Sequence, residues 1–500
     1  MSAHEPRSWQ LTDLPGARGQ IHDVATDLAA GQNCLWLLPD RMVDEGDADR
    51  LYGEALFSLP RVLDLPASPE PADGGGAGGP YEREETSEAG HPRPWTDDDL
   101  PYLEGYDDGF DLGWPTATPA GRGMPYAPHD HGPAASLLAR IGKELSVEPE
   151  QALSRLVVGD NGRQLVVGIR AWAEGDTPAG RGGGIQRLFQ TLTAAVKEAG
   201  LSPGERPLLF VAARLQDLPG GLPDELGLDV ANTSVRWWWG VVGRADTAMV
   251  VAPRAAGARR PERRHSDALR DRVVRTVRAE IVVEVSGPDL SLAERLSELW
   301  DGKDHSLLGA LTSALADVPG PRADVWPRGL AQTGARRKPD AWLREAWAAG
   351  AVAAWEGRLR IHPASWHAGP RAQTRARLDA LVSQAQQRVV LPWIEDARGR
   401  LAARAVAHLT RPVEAVVLDP EFRASRGYLR DDPEQAFLEW EVGQLLSAHI
   451  KGYLALPAED AGLLRLLVSS RNALAHRGVL PDTKLHDLCG ELSKADRRRP

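Results

Sequence analysis

Residues 31–46 read GQNCLWLLPDRMVDEG. Cys34 to Leu38 is an unbroken apolar run of strand length, stopped by Pro39 and Asp40. A strand wet on one face alternates apolar and polar residues. An unbroken run is the pattern of a strand covered on both faces. Upstream, Ile21, Val24, Ala25 and Leu28 stand at helical spacing and predict a helix over 19–30; a second is predicted from Asp47 to Phe57. Further buried strands are expected over Gln164 to Trp172 and Arg206 to Leu215, with helices over 134–144, 149–157 and 185–199. Thr233 to Val251 reads as strand, 266–278 as helix, 279–286 (AEIVVEVS) as strand, and Ser291 to Trp300 as helix. Strands alternating with helices indicate an α/β layered sheet. After about residue 370 the strand signal fades. Residues 373–391, 394–408, 432–450 and 460–476 read as helices, an all-α C-terminal domain.

A chain of 500 residues implies several domains, and 42% hydrophobic residues suffice for sizeable cores. No apolar run approaches the roughly 18 residues of a membrane span. The N-terminus has no basic segment followed by an apolar one, so no secretory leader is expected. Cys34 and Cys489 support neither a disulfide framework nor a Cys-based zinc cluster. The expectation is a cytoplasmic multidomain protein without membrane contact.

The net charge of −11 is local, because residues 66–112 hold thirteen acids and two bases and the remainder sums to about zero. Pro, Gly and acid dominate that stretch and no periodicity survives, so it reads as a spacer. Arg254 to Arg278 carries nine arginines against three acids. Positive potential that could meet phosphates is therefore local too, with Arg259, Arg260, Arg263 and Arg264 as candidate RNA contacts. His129-Asp130-His131 lacks a third ligand, and the acidic tract lacks EF-hand spacing, so neither a metal nor a cofactor is expected. Trp237, Trp238 and Trp239 read as core plus one interface aromatic.

The most specific stretch is LLRLLVSSRNALAHRGVL, residues 463–480. Leu463, Leu464, Leu466, Leu467 and Val468 form the apolar face of a helix, and Arg471, Asn472 and His476 follow as RNxxAH, with Arg477 next. Asn472 and His476 are i,i+4 and share a face, whereas Arg471 stands about 140° round the helix from His476. A histidine titrates near neutral pH and can move a proton. An arginine can grip a phosphate through two parallel N–H bonds. RNA supplies its own nucleophile, the 2′-hydroxyl, so no metal is required. Glu439 and Glu441, on the helix read over 432–450, are the acids expected near Arg471.

Two family resemblances follow from these residues. The RNxxAH pattern after a leucine-rich helix resembles the ribonucleases of the HEPN superfamily. That resemblance covers roughly 371–500 and implies Arg471, Asn472 and His476 as catalytic residues, Arg477 as an RNA contact, and a homodimer or higher oligomer with a composite cleft. The order of elements over roughly 15–300 resembles P-loop NTPases of the AAA and STAND type, in which the first strand feeds the phosphate loop. The chemistry departs from that family. PDRMVDEG follows Leu38, the chain contains no GK[ST], and the strand 164–172 ends in Arg170-Ala171-Trp172 rather than in paired acids; Arg214 occupies the sensor position. The expected domains are 1–65, the first part of an α/β layered, degenerate NTPase-like domain; 66–133, an acidic spacer; 134–265, the remainder of the α/β domain; 266–370, an α/β or winged, lid-like connector; and 371–500, an HEPN-like all-α helical bundle. Together the resemblances imply a metal-independent endoribonuclease effector of a toxin or antiphage defence system. It would be restrained by an inactive NTPase-like sensor domain, with ATP hydrolysis not expected, and would act on RNA with a sensor or regulatory protein as partner. The alternative is a non-catalytic RNA- or protein-binding scaffold in such a system.

Overall fold

The computed structural model describes residues 9–67, 133–159, 164–174, 182–257, 265–317, 337–419, 422 and 432–496. The spacer expected over 66–112, the His129–His131 motif and Arg259, Arg260, Arg263 and Arg264 lie outside them, apart from residues 66 and 67.

Helix α1 (Pro15–Ala29) leads into β1 (Asn33–Leu37), and α2 (Asp40–Asp44) and α3 (Asp47–Phe57) precede β2 (Val62–Asp64). Then α4 (Pro133–Leu145) and α5 (Pro149–Val158) lead to β3 (Val166–Arg170), α6 (Gly183–Glu198) to β4 (Leu208–Ala213), and α7 (Leu222–Leu228) to β5 (Thr233–Trp237). The strands form one sheet in the order β2-β3-β4-β1-β5, every pairing parallel. Cys34 stands opposite Phe210 on one side and Ser234 on the other. Every residue of β1 and β4 is buried, as unbroken apolar runs require of strands covered on both faces. Trp36 and Tyr52 pack on Phe210 at ring-centroid distances of 6.2 and 5.2 Å, joining the middle of the sheet to α3. Because β4 and β5 flank β1, a crevice opens at the carboxyl ends of these strands, the usual ligand position in such sheets.

After the sheet come α8 (Arg244–Gly257), α9 (His265–Ser286), α10 (Leu290–Leu299), α11 (Leu307–Asp317) and α12 (Arg344–Ala348), then the antiparallel hairpin β6 (Val352–Trp355) and β7 (Arg358–Ile361). The remainder is helical: α13 (Pro363–His367), α14 (Arg371–Ala405), α15 (Val413–Val417), α16 (Pro433–Leu438), α17 (Val442–Ile450), α18 (Ala458–Ala475) and α19 (Asp482–Asp496). One hydrophobic core surrounds the sheet and takes in α12 and the start of β6. The other gathers α9 to α11 with the helices from α14 onward.

Several expectations are corrected. AEIVVEVS is the last part of α9, not a strand. Its Val and Ile side chains and Glu284 are buried because α8, α10, α14 and α19 all pack on α9, and that packing overrides the strand preference of β-branched residues. Residues 244–251, expected in a strand, belong to α8. Asp246 starts that helix by accepting from Gly243 N (2.7 Å) and Gly16 N (2.9 Å). The break expected between 391 and 394 is absent: α14 runs through Pro392, where the carbonyl of Arg388 loses its helical donor and burial on both sides of the proline keeps the helix continuous. The helix expected over 432–450 is two helices separated by Glu439 to Glu441. All three of Trp237, Trp238 and Trp239 are buried, since β5 ends at Trp237 and strand alternation does not extend to the next two. β2, the β6–β7 hairpin and α19 were not anticipated.

Gly168 in β3 leaves no space for a side chain. A Cβ there would overlap the Tyr52 hydroxyl and lie 3.1 Å from Leu56 Cδ2. Gly168→Ala is expected to cost about 1–3 kcal/mol in urea unfolding. Adding Tyr52→Phe should recover part of that loss, although alone it removes the 2.8 Å bond to Asp64. Simple additivity of the two changes would show that the clash is absent.

Candidate functional site

The end of α18 is shaped by the sequence LAHRG. His476 is the C-cap, with φ −88° and ψ 16°. Arg477 takes the left-handed conformation at φ 57°. Arg477 N donates to Leu474 O (2.9 Å) and Gly478 N to Ala473 O (2.8 Å), the paired bonds of a Schellman cap. The left-handed position of this cap normally carries glycine; here it carries arginine, one residue before a glycine. A non-glycine residue there costs about 1–2 kcal/mol. Gly478 is also constrained, since a Cβ on it would stand 3.0 Å from Ala473 O.

Asn472, His476 and Arg477 are exposed and Arg471 is half-exposed. Arg471 Nη2 donates to Glu441 Oε2 at 2.9 Å across from α17, with 38% of the arginine side chain and 66% of the glutamate still open to solvent. Of the two acids expected beside Arg471, Glu441 forms this pair and Glu439 instead accepts from Gln435 (3.3 Å). An exposed pair of this kind is worth about 0–1 kcal/mol, so Arg471 can exchange Glu441 for a phosphate at little cost. The motif thus stands on the surface of the helical region, its polar groups turned to solvent.

Two residues that the motif does not announce hold this cap from behind. Gln386 of α14 is buried and pairs with the main chain of Leu480 in both directions: Nε2 donates to Leu480 O (2.9 Å) and Oε1 accepts from Leu480 N (2.7 Å). Gln387 Nε2 donates to Leu474 O at 2.8 Å. A buried main-chain N–H and C=O without partners would each cost about 1–3 kcal/mol. These amides therefore both satisfy and fix the segment 474–480. The signal in the sequence was a glutamine on the apolar stripe of α14, four residues after the buried Val382.

A second constellation lies at the crevice of the sheet. β1 is followed by Pro39 and then directly by the short helix α2, so no glycine loop exposes successive N–H groups. The cations here are matched by the chain's own acids: Arg214 by Asp217 (2.9 Å) and Asp44 (3.6 Å), and Arg170 by Asp64 (3.5 Å) and Asp49 (3.8 Å). Arg41 reaches Glu45 on its own turn and, through Nη1, Asp289 Oδ2 at 2.9 Å. His362 Nε2 lies 2.8 Å from the same oxygen, while its Nδ1 accepts from Ala364 N (3.2 Å), which makes Nε2 the donor. Asp289 Oδ1 caps α10 by accepting from Leu292 N (2.9 Å). Burial alone would raise the Asp289 carboxyl, but Arg41 and the His362 bond outweigh it and hold the group well below the usual carboxylate range. The phosphates of the nucleotide that the AAA- and STAND-type resemblance implies do not fit this surface: among the described residues no lysine lines it, and acids surround each arginine.

The described residues contain no group of three or more His, Cys, Asp or Glu arranged to hold a metal, and no described helix is long and apolar enough to cross a membrane. Comparison with known proteins returns no matching family model, no similar curated protein and no similar solved structure.

Two outcomes are expected. Arg477→Gly should raise stability by about 1 kcal/mol by relieving the left-handed arginine, and Gln386→Ala should lower it by about 2 kcal/mol or more; chemical denaturation measures both. Asp289 has a depressed folded-state pKa, so its contribution is present above the unfolded value of 3.8 and is lost as the pH falls below it. Asp289→Asn should therefore lower stability at neutral pH and flatten its decline in acid. An unchanged acid slope would mean that other carboxylates dominate.

Proposed function

We propose that the chain is a metal-independent endoribonuclease of the HEPN type, with Arg471, Asn472 and His476 at its active site and the sheet-bearing half as an NTPase-like restraint that does not hydrolyse ATP. The observation that carries this reading is the end of α18: an exposed Asn472–His476 pair, an arginine beside them held by an exposed glutamate, and a strained, outward-facing Arg477 on a turn fixed from behind. Strain kept at an exposed turn where glycine would serve better is a common mark of a functional position. The sheet order, with β1 between β4 and β5, agrees with the AAA- and STAND-type resemblance. The acids around α2 agree with lost hydrolysis.

In the proposed reaction the RNA 2′-oxygen attacks the adjacent phosphorus, the 2′-O–P bond forms and the P–O5′ bond breaks. His476 takes the 2′ proton or returns one to the departing 5′-oxygen. Arg471 leaves Glu441 and grips the two non-bridging oxygens as their charge grows. Asn472, one turn before His476, donates to a phosphate oxygen or orients the imidazole. A second copy across a two-fold axis supplies the groups that one helix cannot converge, which is why a homodimer belongs to the proposal. Arg477 and the stretch containing Arg259, Arg260, Arg263 and Arg264 would contact the RNA backbone. A toxin or phage-defence setting, with a sensor or regulatory protein as partner, is the biology this arrangement suits. The Glu441–Arg471 pair favours one other reading: if the arginine stays committed to Glu441, the domain binds RNA or protein without cutting.

Cleavage of a mixed-sequence RNA in EDTA tests the proposal. The wild type should cut and leave 2′,3′-cyclic phosphate ends, and His476→Ala should be slower by about 10²–10⁴-fold. A 2′-deoxy substitution at the scissile position should abolish cutting. RNA bound but not cut by the wild type would favour the scaffold, and equal cutting of DNA or a requirement for Mg²⁺ would overturn the mechanism.

A further inference from the structure

The crevice at the carboxyl end of β1 opens into a cleft of about 160 Å³ between the sheet, the turn joining α9 to α10, and the β6–β7 hairpin. Its apolar walls include Trp9, Trp238 and Trp347. Trp347 Nε1 donates to Trp238 O (2.9 Å), which fixes its indole, and Trp238 N donates to Leu37 O (2.9 Å), which ties its main chain to β1. Ala353 and Ala354 of the hairpin also line it, so small side chains as well as indoles face the cleft. The cleft is therefore preformed, as ligand sites usually are.

Its polar groups are few. Arg41, Asp289 and His362 satisfy one another at the inner end. Arg360 on the hairpin is committed to Glu284 and to the carbonyls of Glu284 and Val285, and its guanidinium lies 5.4 Å from the Trp355 ring centroid. Ser286 differs. Its residue is 1% exposed, its hydroxyl has no hydrogen-bond partner among the described residues, and it lines the cleft. A buried hydroxyl without a partner costs about 1–3 kcal/mol, a cost that a ligand acceptor would remove. A dry cavity of roughly 150 Å³ takes a benzene-sized ring, and this one is open at its mouth.

We infer that this cleft binds an uncharged planar heteroaromatic compound of one or two rings, stacked against the tryptophans and accepting a hydrogen bond from Ser286, and that it discriminates against phosphorylated forms of the same ring. The discrimination follows from charge. Each arginine lining the cleft already faces a carboxylate of the chain, and Glu45 and Asp47 also line it, so an added phosphate meets acids and, among the described residues, no uncommitted cation. This departs from what a nucleotide switch needs and is independent of the ribonuclease reading.

Isothermal titration of the full chain with adenine, adenosine and ADP separates the possibilities. Adenine and adenosine should bind saturably and ADP at least tenfold more weakly. Ser286→Ala should weaken adenine by about two- to tenfold, and Ala353→Leu, which puts a larger side chain on the lining, should weaken it further. ADP binding as tightly as adenosine or tighter would overturn the discrimination. The site itself fails if none of adenine, guanine, nicotinamide and indole binds saturably, or if Ala353→Leu leaves adenine binding unchanged. Should that variant not fold, the wild-type series and Ser286→Ala still decide.

Discussion

Asp289 is a buried carboxylate to which three parts of the chain are tied. Arg41 reaches it from α2, the short helix after β1, His362 from the segment after the β6–β7 hairpin, and its second oxygen starts α10. Taking these charges from water is costly, and the attraction between them repays that cost only with close geometry and full hydrogen bonding. Both conditions hold here. Removing one partner would strand a buried charge, so the sheet and the first helices after it cannot separate freely.

A second continuity runs from the sheet towards the end of α18. Arg244, at the start of α8, pairs with Glu280 and Glu284 of α9. Glu280 also meets Arg388 of α14 at 3.1 Å. The two residues before Arg388 are Gln386 and Gln387, which hold the segment 474–480. Asp482, just past that segment, accepts from Asp304 N in the turn before α11 (3.0 Å). The exposed motif is therefore attached to elements that pack on α9, and α9 in turn packs on α8 and α10. A rearrangement of α9 would have a mechanical route to the motif, whatever signal produced it.

Local strain and global support meet at Arg477. An isolated helix would end more cheaply with glycine there. The double amide pairing to Leu480 and the bond to Leu474 O over-determine the turn and hold the arginine in place. The RNxxAH pattern was legible in the sequence, and so was an acid near Arg471. The two glutamines were not singled out, because a buried polar residue announces its purpose only when its partner, about 90 residues away, is in view.

The sequence by itself determined the central strands, the flanking helices and the helical C-terminal region, because unbroken apolar runs and helical spacing are local records of burial. It also determined that no phosphate loop follows β1. Only tertiary structure decided that AEIVVEVS is helical, that α14 passes through Pro392, and that residues 244–257 form a helix. In each case contacts with distant elements outweigh an intrinsic preference of about 1 kcal/mol per residue, or about 3 kcal/mol for proline. Tertiary structure alone also placed Ser286, at the end of a helix read as a strand, in a tryptophan-lined cleft. That cleft exists because segments up to about 350 residues apart meet at the tip of one strand, and no local pattern encodes such a meeting.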